Sequence, residues 1–528
     1  MRTIDRIRGP WAAGCAVALL GVSAAMLASF SPGGAASAAG SYSRSTLTTP
    51  LLSVRRVPWW LAQTAARQRL AQALDGIVGS SLGAGAHATG CLAVSQGGTD
   101  IFDLNAHDMF IPASNLKILT ATAVLDRLGD STRLVTSIKA SRSPEGGVLG
   151  GNLYLVGGGD PDLRTSSYGG GTSGPGAPFT SLDALALRVR ESGISEITGS
   201  VVGDDSRYDS KRIVSSWKPV YTSENDVGPL SALDVNDGFV PAPTTTTSLP
   251  PAPSGGSATP PAPHPTPAPG SPTSAGQASN SAQLAYAAAA NPAAQAAVTF
   301  VALLRRDGVR VDGGARTGYT PSGAVPVTSI SSAPLASEVD QMLTYSDDTA
   351  AELFTKELGY QQSQSGTTAA GTAAVRADLA ADGLAVGELV NVDGSGLDRG
   401  DRASCSLLEA ALQWAGTAGV LAKGLPVAGK SGTLLGRMVG TPAVGRVEAK
   451  TGNLDNVVSL SGFVLPAAGV PATPALGQPL VFSLLLNGPP DQQAEALADR
   501  VAIALARYPD LPPVSELVPV LASQPSSR

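Results

Sequence analysis

Phe110-Ile111-Pro112-Ala113-Ser114-Asn115-Leu116-Lys117 runs directly into Ile118, Leu119, Ala121, Val124, Leu125 and Leu128, an apolar series that stops at Gly129. Apolar residues recurring every three to four positions form the buried face of a helix, and a glycine just past the last of them is a common terminator. A serine and a lysine three apart at the start of that helix share one face, about one turn apart. Ser114 is therefore placed as a nucleophile and Lys117 as its base. The chain needs such a pair, because its only histidines are His87, His107 and His264. Desolvation and the positive end of the helix dipole both disfavour a charged amine, which predicts an uncharged, basic Lys117.

Outward from this helix, Cys91-Leu92-Ala93-Val94 and Asp100-Ile101-Phe102 alternate as strands around a Gly97-Gly98 hairpin. A strand pair feeding a nucleophile helix predicts a mixed α/β (α+β) catalytic domain. After Asp130 the texture turns to short strands, Leu134 to Ile138, Asn152 to Val156 and Gly199 to Val202, with one helix near Ser181 to Ser192. Residues 241–282 are Pro/Thr/Ser/Ala/Gly-rich and read as a disordered excursion that buries no core. Asn291-Pro292 then caps and opens a helix ending at Gly308. Longer helices return after Ser332, followed by strands at Arg446 to Ala449, Val457 to Val464 and Leu480 to Leu486 and a helix from Gln492 to Arg507. The simplest division is a catalytic domain in two pieces, 85–132 and 326–510, split by a β-rich module at 133–325. A lead-in covers 40–84 with one helix, roughly Leu61 to Val78, and a tail covers 511–528.

Residues 1–39 read as an export signal. Arg2, Arg6 and Arg8 precede an uncharged stretch, and Ala36-Ser37-Ala38 fits a cleavage site. If retained, residues 11–30 are long enough to anchor the chain in a membrane. Either outcome places the body outside the cytoplasm. A net charge of -6 offers no basic face for nucleic acid. With no Cys-x-x-Cys or His-x-x-x-His and three histidines, neither a metal nor a cofactor is expected. Cys91 and Cys405 are either one disulfide or two buried thiols; spacing does not choose.

Two further groups complete a chemical set. Lys450-Thr451-Gly452 ends a strand-like Arg446-Val447-Glu448-Ala449. Lys450 and Thr451 offer a charge and a hydroxyl to a terminal carboxylate. Gly452 lets a substrate backbone approach, and the Asn453 backbone N–H, with that of Ser114, can hold an oxyanion. Ser346-Asp347-Asp348 has the place of a Ser-x-Asn element with aspartate as its third residue. Asparagine donates to a substrate amide; ionised aspartate does not. Ser346 can still relay a proton to a leaving amine. Taken alone, the group reads as a helix cap, with Thr349 and Glu352 forming a capping box.

Ser-x-x-Lys, Ser-x-Asn and Lys-Thr-Gly together mark serine acyl-transferring enzymes that open penicillin. The chain resembles one family of these, the D-alanyl-D-alanine carboxypeptidase/endopeptidases or class C low-molecular-mass penicillin-binding proteins. Tyr154-Leu155-Val156-Gly157-Gly158-Gly159-Asp160-Pro161, Gly203-Asp204-Asp205-Ser206 and Asp393-Gly394-Ser395-Gly396-Leu397 are similar to further landmarks of that family. The resemblance implies a penicillin-binding-protein/serine β-lactamase-like fold interrupted by inserted domains. It also implies action on peptidoglycan stem peptides through a Ser114 acyl-enzyme, with β-lactams as inhibitors. Asp348 departs from the family pattern, so a catalytically impaired wall-binding homologue is one alternative and a β-lactamase another. Gly424 to Ser431 matches the phosphate-binding P-loop pattern, but no apolar strand precedes it and Gly432 and Gly436 interrupt any following helix.

Overall fold

The computed structural model describes residues 59–82, 89–170, 178–241, 286–467 and 477–510. The expected signal or anchor, the proline-rich stretch past Pro241 and the tail lie outside the described residues. The catalytic half is built on a five-stranded antiparallel sheet in the order Val447–Leu454, Val457–Val464, Leu480–Asn487, Thr89–Gln96, Thr99–Leu104. The strand Val457–Val464 is buried along its whole length, and its residues are apolar or small. Helices Leu116–Leu128, Leu335–Tyr345, Asp348–Ser363, Thr368–Ala381 and Cys405–Ala415 pack on one face.

Helices Trp59–Leu82 and Asp491–Arg507 cover the other face. In the first, Ala66, Leu70, Leu74, Val78 and Leu82 are all buried, a ridge of every fourth residue that meets Leu497, Val501 and Leu505 of the second. The lead-in helix is thus part of the catalytic core. Cys91 and Cys405 are joined as a disulfide, tying the strand Thr89–Gln96 to the Cys405–Ala415 helix.

The inserted module has its own sheet, ordered Ala315–Thr317, Val201–Asp204, Leu153–Val156, Val135–Ala140, Val325–Ser331. Its first three strands are parallel and the last two join antiparallel. The strand Val325–Ser331 begins where the sequence reading ends the module, and it completes this sheet. Helices Leu182–Glu191 and Pro292–Arg306 cover it. They are capped by Ser181 and Asn291, whose side chains accept from Ala184 N at 3.1 Å and Ala294 N at 3.0 Å. The chain leaves toward the proline-rich stretch along Phe239–Pro241 and returns along Tyr286–Ala288, paired antiparallel.

The module meets the catalytic half through two kinds of contact. Trp217, Tyr221, Val227 and Leu230 pack with Ala113, Leu353, Leu397 and Leu454. Beside them, Asp160, Asp162, Asp234 and Asp237 of the module lie buried near Glu338 and Asp347, with Arg164 as the nearest cation. Asp160 and Asp237 are each pushed up to about 7, first by burial and also by neighbouring carboxylates. Asp234 and Glu338 are raised well above the ordinary range for the same reasons.

The folded protein therefore holds protons that the unfolded chain releases above about pH 4. Stability from this cluster is present at mildly acid pH and declines as pH rises through about 7. Thermal unfolding should give a Tm several degrees higher at pH 5.5 than at pH 8, and Asp234→Asn should raise the pH 8 value. An unchanged slope in the variant would show that the cluster does not set it.

Candidate active site

Ala113–Asn115 forms a single tight turn before the helix Leu116–Leu128. Ala113 has φ 47°, a left-handed conformation that costs a non-glycine residue on the order of 1 kcal/mol. Surrounding contacts hold it there. Gly396 lies so close that a Cβ would fall 2.0 Å from the Ala113 carbonyl oxygen. A Cβ on Gly452 would fall 2.8 Å from the Ser114 nitrogen. The glycine of Lys-Thr-Gly is therefore required by the approach of the nucleophile turn, a nearer cause than the substrate backbone invoked from sequence.

Lys117 is fully buried, and its Nζ donates to Ser114 Oγ at 2.9 Å, as the three-residue spacing predicts. It also donates to Asp348 Oδ1 at 2.5 Å and to the Ser395 carbonyl at 2.9 Å. Three acceptors match the three hydrogens of an ammonium. The carboxyl group of Asp348 therefore lies against the amine that the sequence reading makes the base, a contact that the spacing of Ser114 and Lys117 does not announce.

Asp348 opens the helix Asp348–Ser363, whose N-cap is Asp347, accepting from Ala350 N at 2.8 Å. The capping box expected from Thr349 and Glu352 does not form. Thr349 Oγ1 accepts from Gly228 N at 3.0 Å, and Glu352 accepts from Gly394 N and Ser395 N at 2.9 and 2.8 Å. Asp348 is thereby free to face Lys117. Burial pushes its carboxyl up to about 6, against the pull of Lys117. Ser346, left-handed at φ 63°, ends the preceding helix and lines the cleft.

Lys450 is fully buried, with Nζ donating to the Thr451 carbonyl at 2.8 Å. Burial, then the charge of Lys117, hold it well below the usual lysine range. An arriving carboxylate opposes both causes and favours the ammonium. Thr451 Oγ1 is 2.7 Å from Thr433 Oγ1. The Asn453 side chain donates to Glu495 at 2.9 Å. Strand parity gives the direction of its backbone groups. Ala428 N and Ala449 N bond Val447 O and Pro426 O at the outer edge of the strand. With a period of two, Thr451 and Asn453 turn their backbone groups to that same edge, beside the cleft. The P-loop-like segment 424–431 is thus an edge cover for the Lys-Thr-Gly strand.

The cleft, of about 760 Å³, is lined by Ser114, Ser346, Asp348, Thr451, Gly452 and Asn453 on the catalytic side and by Lys218, Val220, Tyr221 and Glu224 of the inserted module. The sequence reading assigned the module no role; it forms one wall. The reading singled out Asp393 to Leu397 as a landmark but gave it no place; it lies under the nucleophile. Asp393 accepts from Trp217 Nε1, Gly396 N and Asp398 N at 2.8, 2.7 and 2.8 Å. Glu352 is pushed up to about 8 by burial and by Asp393. Together they fix the Asp393 to Gly396 loop that offers the Ser395 carbonyl to Lys117. The closely spaced glycines of that loop were the available signal.

A buried lysine against a serine, beside a Lys-Thr-Gly strand at the edge of an antiparallel sheet, defines a serine acyl-transferring hydrolase of the penicillin-binding class. The D-Ala-D-Ala carboxypeptidase 3 (S13) family matches residues 73–266 and 273–508. The chain is 30% identical over 458 residues to a D-alanyl-D-alanine carboxypeptidase of Actinomadura sp. (strain R39), spanning 78% of this chain and 79% of that one. It is 24% identical over 425 residues to D-alanyl-D-alanine carboxypeptidase DacB of Haemophilus influenzae, spanning 74% and 82%. The fold is similar to that of penicillin-binding protein 4 from Haemophilus influenzae, with a TM-score of 0.63 at 19% identity over 82% of this chain and 98% of that chain. The chain belongs to the D-Ala-D-Ala carboxypeptidase S13 family and is a hydrolase of that class.

Gly396→Ala tests the packing beneath the nucleophile. Its Cβ meets the Ala113 carbonyl at φ +88°, so Ser114 should shift and acylation by a fluorescent penicillin should slow on the order of 10²-fold. Gly387→Ala, where a Cβ meets nothing within 4 Å, should label like the parent. Equal rates in the two variants would remove the proposed constraint.

Proposed function

We propose that Ser114 attacks the carbonyl carbon of the penultimate D-alanine of a peptidoglycan stem peptide, with Lys117 receiving the serine proton. The observation that carries this reading is the 2.9 Å contact from Lys117 Nζ to Ser114 Oγ at the floor of the cleft. The electron pair displaced from the carbonyl rests on an oxyanion facing the Ser114 and Asn453 N–H groups. Lys450 and Thr451 receive the terminal carboxylate. As the C–N bond breaks, the leaving D-alanine takes a proton through Ser346, and water then hydrolyses the acyl-enzyme. β-Lactams present the same reacting carbonyl and acylate Ser114.

The same chemistry in a cleft of about 760 Å³ supports a DD-endopeptidase activity as well, in which the leaving amine belongs to a second stem peptide. Stem peptides lie outside the cytoplasm, and the Cys91–Cys405 disulfide suits that oxidising side. Against a merely wall-binding homologue stands the Ser114–Lys117 contact, kept intact with aspartate at position 348.

Intact-protein mass spectrometry with penicillin should show one adduct in the parent and none in Ser114→Ala. Lys117→Met should lower both the acylation rate and D-alanine release from a peptide ending in D-Ala-D-Ala by roughly 10²- to 10⁴-fold. An adduct that persists in Ser114→Ala would sink the assignment.

A further inference from the structure

Asp348 stands where the motif calls for asparagine, and its surroundings give the carboxylate a task. It lines the cleft, is nine-tenths buried, and holds Lys117 Nζ at 2.5 Å. The charged groups that face it are Lys117 from the nucleophile helix, Lys450 from the Lys-Thr-Gly strand and Asp347 from its own turn. Two chemical requirements meet at this contact. Lys117 must be uncharged to take a proton from Ser114, and the group at position 348 must donate a hydrogen bond to a substrate amide.

We propose that Asp348 is the proton partner of Lys117, taking one proton across their contact so that a neutral amine and a hydrogen-bond-donating carboxylic acid arise together. The inference rests on the Ser114 acyl-enzyme reading. At rest the pair is ammonium and carboxylate; after transfer it is amine and acid, with the net charge unchanged. Ser114 Oγ then bonds to the carbonyl carbon while its proton passes to Lys117. When the C–N bond breaks, Lys117 returns that proton to the leaving amine. Throughout, the Asp348 O–H stands in for the asparagine N–H toward the substrate.

Burial holds Asp348 near 6, which makes it a better proton acceptor than an exposed carboxylate and lowers the cost of this transfer. Lys450 gains too. The charge on Lys117 holds Lys450 down more than that of Asp348 holds it up, so neutralising both leaves a small net gain for the Lys450 proton.

The working form of the pair holds one proton. Below about pH 6 it holds two, Lys117 is charged, and acylation falls. At alkaline pH it holds none, the donor is lost, and acylation falls again. Asp348→Asn keeps a donor at every pH and removes the carboxylate that stabilises the ammonium. Asp348→Ala supplies no donor at any pH.

The second-order acylation constant with a fluorescent penicillin, followed from acid to alkaline pH in the full chain, tests this. The parent should give a bell with its acid limb near 6. Asp348→Asn should show a displaced acid limb and an alkaline plateau, about tenfold above the parent at its alkaline end, and Asp348→Ala should fall about tenfold below the asparagine variant. Parent and asparagine profiles of identical shape, differing by a constant factor, overturn the proposal while leaving the acyl-enzyme intact. Should the variants fail to fold, a parent profile with no alkaline fall overturns it. No parent adduct at any pH overturns both readings.

Discussion

The buried amine of Lys117 is the point on which the site depends. Its three donated bonds reach Ser114 on its own turn, Asp348 at the start of a distant helix and Ser395 in a loop between two further elements. A lysine with no exposed surface needs all of its donors matched, because an unsatisfied charged group in the interior costs several kcal/mol. One electrostatic demand therefore draws three separate segments to one point. The sheet supplies the platform, and Asn115 secures it by donating to the Lys450 carbonyl at 3.1 Å and to Ser459 Oγ at 2.7 Å. Nucleophile turn and Lys-Thr-Gly strand are thus pinned to each other as well as to Lys117.

The second layer of the site is also electrostatic, with the opposite sign. Glu352 and Asp393 lie beneath the nucleophile, each fully buried, and both are pushed upward by burial. Backbone N–H groups of residues 394–396 and 398 close around them, and Trp217 Nε1 adds a donor from the inserted module. A loop whose amides converge on buried carboxylates has little freedom to move. That rigidity aims the Ser395 carbonyl, a group with no side-chain identity of its own.

This difference explains what was legible in the sequence. Ser114 with Lys117, and Lys450 with Thr451, declare themselves by residue type and spacing, and the helix after Ser114 by its apolar period. Strands Val457–Val464 and Leu480–Asn487 were readable because burial on both faces leaves mostly apolar runs, broken only by small residues such as Ser459, Ser461, Gly462 and Ser483 before the closing Asn487. Ser395 was not readable as a ligand of Lys117, because every residue carries a carbonyl. Asp348 was visible as a departure from asparagine, yet its contact with Lys117 depends on Asp347 taking the cap, a choice between adjacent aspartates that composition does not make. The core role of the Trp59–Leu82 helix was obscured by its alanine and glutamine content, although its every-fourth-residue ridge was present in the letters.

The inserted module looked separable because its sheet and core are its own. The cleft shows otherwise. Tyr221 and Val220 form part of its wall, Lys218 pairs with Asp455 just past the Lys-Thr-Gly strand, and Trp217 reaches Asp393 under the nucleophile. Leu230 and Val227 share one apolar cluster with Ala113, the strained residue before Ser114. A left-handed alanine persists only where its neighbours over-determine it. Part of that enclosure belongs to the insertion, so the catalytic half alone does not contain everything that holds its nucleophile in place.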